Sequence, residues 1–258
     1  HTVGSPPQNI MLADSNGDIA WTIMGRIPIR VGYDPRLPAF WSDGQTGWQG
    51  WLPSDDYPVV INPDAGVVWT ANARVVNGTD LALIGTGGYS LGARAGQIRD
   101  GLLRLERATI EDMLAIQLDD RATLHERWHE LLLNVLDTGI VAGDARRAEL
   151  RSEVARWNGR ADPDTAGYRL IREFRRQTSD ELLSGIVSGC GDFPDPVTLQ
   201  RRNQAEGPIW RLVTERPEHL LPPFYESWQE FFLSAVDKTA AKCATDSLAE
   251  CTWGAINR

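Results

Sequence analysis

The chain has 258 residues, 42% hydrophobic and 24% charged, with a formal net charge of -9. That length suits one large domain or two small ones. The acidic balance argues against a general nucleic-acid binder, because neutralising phosphates needs a basic surface. No apolar run reaches the roughly 20 residues of a membrane-spanning helix, and His1–Ile10 reads as neither signal nor transit peptide.

The first element is a predicted β-hairpin over residues 8 to 24. Two apolar runs flank Asp14-Ser15-Asn16-Gly17-Asp18, and Asn16-Gly17 suits a turn that needs positive φ. The next piece, Gly25–Arg30, is short and extended. Residues 32 to 58 read as a long loop carrying Trp41, Trp48 and Trp51. A loop of that length inside a compact domain is usually functional or packed over something. Tyr57–Pro63 predicts a strand and Val67–Val76 another, with a tight turn at Gly66 joining them into a second hairpin. Asn72, and Arg74 two residues on, would then share one face of a strand.

After Gly87-Gly88 the periodicity becomes helical. Thr109 is the expected N-cap of a helix, with Asp112 three residues on in a capping-box pattern. Leu124, Trp128, Leu131, Leu132, Val135 and Leu136 form a stripe of 3.6-residue period. Further helices are expected near 145–157, 164–186, 199–213 and 224–240, separated by glycine and proline breakers. The division that follows is a β-rich part at 1–90 and a helical region at 91–258.

Several side-chain groups invite a functional reading beside a structural one. His125 and His129 lie one helical turn apart, but no third ligand is evident and a metal is discounted. Arginines from Arg146 to Arg176 alternate with Glu149, Glu153, Asp162, Asp164 and Glu173, the pattern of a solvated, ion-paired helix face. Of the 26 basic residues only Lys238 and Lys242 are lysine. Cys243 and Cys251, with seven residues between them, either close a disulfide loop in an oxidising compartment or remain free thiols; Cys190 is then unpaired. Trp41, Trp48, Trp51 and Trp69 read first as core, with Trp69 the best candidate for lining an apolar pocket.

Taken in order, Pro6–Trp21, Gly25–Arg30, Trp48–Val75, Gly92–Leu102, Thr109–Asp120, Arg156–Gly167 and Cys251–Arg258 make the chain resemble the penicillin acylase family of N-terminal nucleophile hydrolases. The match is to an interior section of a longer β-subunit. The resemblance implies an α+β chain: an antiparallel β-layer of an N-terminal nucleophile hydrolase sandwich with a large helical region, present as a fragment. It implies an amidase acting on an acylated small-molecule amide, linear or cyclic. The nucleophile would be exposed by self-cleavage outside this sequence, and the remainder of an α/β heterodimer would be the partner. It maps an oxyanion-hole asparagine onto Asn72 and a supporting arginine onto Arg94, with Arg74 the alternative partner. Ala73 stands where the family usually has a second asparagine. Leu83 stands where some members have a calcium-ligating aspartate, and Asp80 is no match, so no cofactor is carried over. The resemblance favours a periplasmic or secreted location. Against it stand a ligand-binding module built on the tryptophan-rich loop and a structural module built on the helical half.

Overall fold

The computed structural model describes residues 4–35, 37–85, 88–188 and 204–257. Cys190 and the expected helix start at 199–203 lie outside these. The chain forms two compact units, His1–Gln117 and Leu118–Arg258. The earlier part of the helical region therefore clusters with the strands, later than the change of periodicity near residue 90.

In the first unit, β1 (Gln8–Ala13) and β2 (Ile19–Met24) pair antiparallel, with Ala13 opposite Ile19 and Gln8 opposite Met24. This is the predicted first hairpin. The Asp14 carboxylate accepts the Asn16 and Asp18 backbone N–H groups at 2.8 and 3.0 Å, and Gly17 takes φ 91°. The other edge of β2 pairs with β5 (Val59–Ile61). A second sheet joins β3 (Pro28–Val31) to β4 (Gly47–Trp51), so the expected loop contains a strand.

Cross-strand partners share a sheet face. Trp21 pairs with Met11 and Val60, and Ile10 and Val59 flank Thr22. The small core of this unit holds Trp21, Ile23, Ile27 and Tyr57, with Leu52, Val60, Val75, Val76 and Ile84 against it. The buried Tyr57 hydroxyl donates to the Gly25 carbonyl at 2.7 Å and accepts the Ile27 N–H at 3.1 Å. It satisfies two backbone groups that burial would otherwise leave costly.

The predicted second hairpin does not form. Asn62 takes φ 42°, its Oδ1 accepts the Ile19 N–H at 2.9 Å, and its Nδ2 donates to Asp18 at 2.7 Å. That ties the end of β5 to the first turn. Both edges of β2 are already paired, and residues 67–77 run on as irregular backbone. A helix the periodicity did not reveal follows, α1 (Gly78–Ile84), then α2 (Ala93–Leu102) and α3 (Ile110–Gln117). The expected capping box is present: Thr109 N–H and hydroxyl both donate to Asp112 Oδ2, and Asp112 N–H returns to Thr109 Oγ1 at 3.2 Å.

The second unit is helical: α4 (Thr123–Val135), α5 (Thr138–Val141), α6 (Ala145–Ala155), α7 (Gly167–Val187), α8 (Glu206–Glu215) and α9 (Trp228–Ala241). Asp137, Asp144 and Ser227 cap α5, α6 and α9 by accepting backbone N–H groups, which satisfies otherwise orphaned donors. The apolar stripe of α4 is buried as its spacing predicts, with Trp128, Leu132 and Leu136 fully enclosed. They meet Leu150 and Val154 of α6, Leu170, Ile171, Phe174 and Leu182 of α7, and Phe231, Phe232 and Val236 of α9.

Beneath that core lies a polar knot. Buried Glu206 accepts from Trp128 Nε1 at 2.7 Å, from Arg175 Nε at 2.8 Å, and from Arg127. Burial alone would raise its pKa. The bonds from Arg175, Trp128 and Arg127 outweigh that and hold the carboxyl below its usual range. Some arginines of the 146–176 stretch form the expected local pairs, such as Arg176 with Glu173 and Asp180. Others cross between helices instead: Arg147 to Asp237 and Arg175 to Glu206.

Candidate active site

Asn72 lies not on a strand but in a bend, at φ 61°. Asparagine is one of the few L-residues that enters this left-handed region readily. Its carbonyl accepts the Ser90 N–H at 2.8 Å. Its side chain meets Arg94, the second residue of α2: Arg94 Nη2 donates to Asn72 Oδ1 at 3.0 Å and to the Ala71 carbonyl at 3.1 Å. A guanidinium has donors only, so it fixes which way the amide points. Oδ1 is taken and the Nδ2 hydrogens remain to be given elsewhere. Both side chains are exposed, while neighbouring Ala73 is buried and anchors the bend.

Sequence reasoning left two arginines as partners for this amide. Arg94 supplies the bond. Arg74 is exposed, and its charge acts on Tyr89 together with that of Arg30. Burial raises the Tyr89 phenol's pKa, and the two guanidinium groups pull the other way. The Tyr89 hydroxyl donates to the Gly85 carbonyl at 3.1 Å. Arg30, at the end of the Gly25–Arg30 motif, donates to the Leu83 carbonyl at 2.9 Å. Arg30, Gly85, Tyr89 and Ser90 are therefore neighbours of the site that no spacing rule pointed to.

The other expectations fare differently. Trp41, Trp48 and Trp51 are 52, 58 and 48% exposed, so they are neither core nor the lining of an enclosed pocket. Trp48 and Trp51 lie on β4 and Trp41 on the irregular backbone between β3 and β4, with Trp48 Nε1 donating to Tyr33 at 3.1 Å. Trp69 is half-buried. His125 is buried, packed edge-on to Tyr168 at 5.2 Å between ring centroids. Burial, then Arg175 and Arg172, lower its pKa to about 4. His129 bonds the Val154 carbonyl at 3.0 Å through Nε2. Among the described residues, no group of three or more His, Cys, Asp or Glu is placed to hold a metal, and Leu83 sits within α1. No helix among them is long and apolar enough to cross a membrane. Cys243 and Cys251 are joined as a buried disulfide.

The family model for penicillin amidase matches residues 1–258. The penicillin acylase 2 proenzyme of Pseudomonas sp. (strain SE83) is 29% identical over 261 residues, covering 97% of this chain and 31% of that protein. Penicillin G acylase of Escherichia coli is 30% identical over 155 residues, 58% of this chain and 18% of that one. The solved thermostable penicillin G acylase from Alcaligenes faecalis superposes with a TM-score of 0.57 at 19% identity, covering 95% of this chain and 48% of that chain, and so shares the fold. The chain thus spans under a third of the length of the curated relatives it matches. With its mixed helices and antiparallel sheets, the chain belongs to the penicillin amidase family of hydrolases.

Proposed function

We propose that this chain is a section of an amidohydrolase that cleaves the amide bond of an acylated small molecule, and that Asn72 is its oxyanion donor. Attack on an amide carbonyl builds negative charge on oxygen, and a fixed neutral donor aimed at that oxygen lowers the barrier. The observation that carries the reading is the bond from Arg94 to Asn72 Oδ1. It leaves Nδ2 as the donating end of the amide, while the Ser90 N–H holds the backbone carbonyl of the same residue.

The placement of Arg94 supports this. A cation in the first turn of a helix opposes the helix dipole, and α2 has no acidic residue there to compensate.

The nucleophile and its base come from outside this sequence, in the remainder of an α/β heterodimer. Trp69, three residues before Asn72, is the candidate for contact with the acyl group. The disulfide agrees with a periplasmic or secreted enzyme, since such bonds persist in oxidising compartments.

The isolated chain is expected to show no turnover of phenylacetyl, glutaryl or long-chain acyl amides; stoichiometric hydrolysis by the chain alone would overturn the assignment. In the complete enzyme, Asn72→Ala tests the role directly, with a kcat loss of about 10²–10³ expected.

A further inference from the structure

Asn72 is held at its side chain by Arg94 and at its backbone carbonyl by Ser90, so whatever fixes Ser90 also fixes the backbone that carries the amide. Ser90 follows Tyr89, whose hydroxyl donates to the Gly85 carbonyl at 3.1 Å. Gly85 ends α1, with its N–H on the Leu81 carbonyl, and is buried. Arg30 reaches this same turn from β3, donating from Nη1 to the Leu83 carbonyl at 2.9 Å.

Two features show that the turn is shaped around that guanidinium. Gly85 has φ 81°, where a side chain is strained. A Cβ there would stand 3.1 to 3.3 Å from Arg30 Cζ, Nη2 and Nη1. The last carbonyls of a helix have no partner within it, and the half-buried Arg30 supplies one from another element. Ile84, between Leu83 and Gly85, packs against the core of Trp21, Ile23, Ile27 and Tyr57, while the Arg30 guanidinium bonds the Leu83 carbonyl outside that cluster.

We propose that Arg30 is a positioning residue for Asn72, acting through the carbonyl end of α1, the Tyr89–Gly85 bond and the Ser90–Asn72 bond. Arg30 does not touch the reacting atoms. It fixes one wall of the segment that carries the donor, as Arg94 fixes the donor itself. The inference rests on the oxyanion reading of Asn72, and its test separates the two.

In the complete enzyme, kcat and KM are measured for Arg30→Met, Asn72→Ala and the double variant. Displacing a donor by about an ångström can cost up to about 10²-fold in rate. Arg30→Met is therefore expected to lower kcat by roughly 10- to 100-fold with KM changed less than about 3-fold. In the Asn72→Ala background the same change should move kcat less than about 3-fold, because the group it positions is gone. Arg30→Lys, which keeps the charge and one donor, should recover part of the loss.

Gly85→Ala is the second variant should Arg30→Met fail to fold: it displaces the guanidinium while keeping Arg30, and should reproduce the pattern. Equal losses in both backgrounds, or no kcat loss from Arg30→Met, would overturn the proposal. If Asn72→Ala alone leaves kcat unchanged, the oxyanion reading fails. Positioning is then decided by the Asn72 side-chain amide resonances, which should shift or broaden in Arg30→Met. Unchanged resonances would overturn it.

Discussion

The two units solve the problem of stability in opposite ways. Leu118–Arg258 closes a core drawn from α4, α6, α7, α8 and α9, with nine or more large side chains fully enclosed. Among its described residues, His1–Gln117 has a core cluster of only Trp21, Ile23, Ile27 and Tyr57 and leaves Leu12, Val59, Ile61, Phe40 and three tryptophans about half exposed or more. The candidate catalytic residue sits in the second kind of structure, on backbone that is neither helix nor strand. Well-packed helices resist change, whereas irregular segments held by a few directed hydrogen bonds can present an amide in one orientation. In the first unit the Asn72 side chain is held by Arg94 and its carbonyl by the Ser90 N–H, rather than by burial.

The sharpest contrast is between core and surface aromatics. Phe231→Ala should destabilise the chain by about 3–5 kcal/mol, since Phe231 is fully buried against Trp228, Phe232 and Tyr225. A much smaller loss in chemical unfolding would mean the helical core is not closed as described.

Next in size is an acid sensitivity confined to the helical unit. His125 is neutral when folded, with its pKa lowered from 6.5 to about 4. Facing it are Tyr168, Arg172 and Arg175 of α7 and Glu206 of α8. The unfolded chain binds the proton more readily, so stability is complete above pH 6.5 and falls as pH drops toward 4. The loss amounts to roughly 3 kcal/mol over that window. Urea unfolding at pH 7 and pH 4.5 checks this, and His125→Gln should flatten that part of the dependence. A slope unchanged by the substitution would assign it elsewhere.

Reduction of the Cys243–Cys251 bond, which spans 8 positions, should cost on the order of 2–3 kcal/mol by chain entropy. The loop keeps other ties: Arg146 donates to the Thr245 and Asp246 carbonyls, and Glu149 accepts from Ser247 and the Leu248 N–H. Thermal unfolding with and without reductant reads the difference. Smallest of all, Trp48→Ala in the β-rich unit should change stability by only about 0.5 kcal/mol. A large effect there would blur the contrast between the units.

Much of the fold was legible because it is locally determined. Asp14, Asn16 and Gly17 specify a turn by themselves, and the α4 stripe needs only its own period. Thr109 and Asp112 found each other across one helical turn. What failed was non-local. Val67–Val76 has strand-like residues, but β2 has two edges and β1 and β5 occupy both, while Asn62 and Pro63 lead the chain away from the ladder. Nothing in its own neighbourhood of sequence marks Glu206, because only the packing of α4, α7 and α8 brings Arg127, Trp128 and Arg175 to it. At the site, the 22-residue spacing of Asn72 and Arg94 was readable through resemblance. Arg30, 53 residues from Leu83, was not, because nothing local links a strand-end arginine to a helix carbonyl.

On the proposed reading, the exposed Asn72 amide acts in chemistry and not in folding. The direct measurement is Asn72→Ala in the complete enzyme, with kcat per folded molecule and melting temperature recorded on the same preparation. An oxyanion donor requires a kcat lowered by about 10²–10³, equivalent to about 2.7–4 kcal/mol of lost transition-state stabilisation, with the melting temperature near that of the parent. A lowered melting temperature with kcat unchanged would contradict it and make Asn72 a structural residue of the bend.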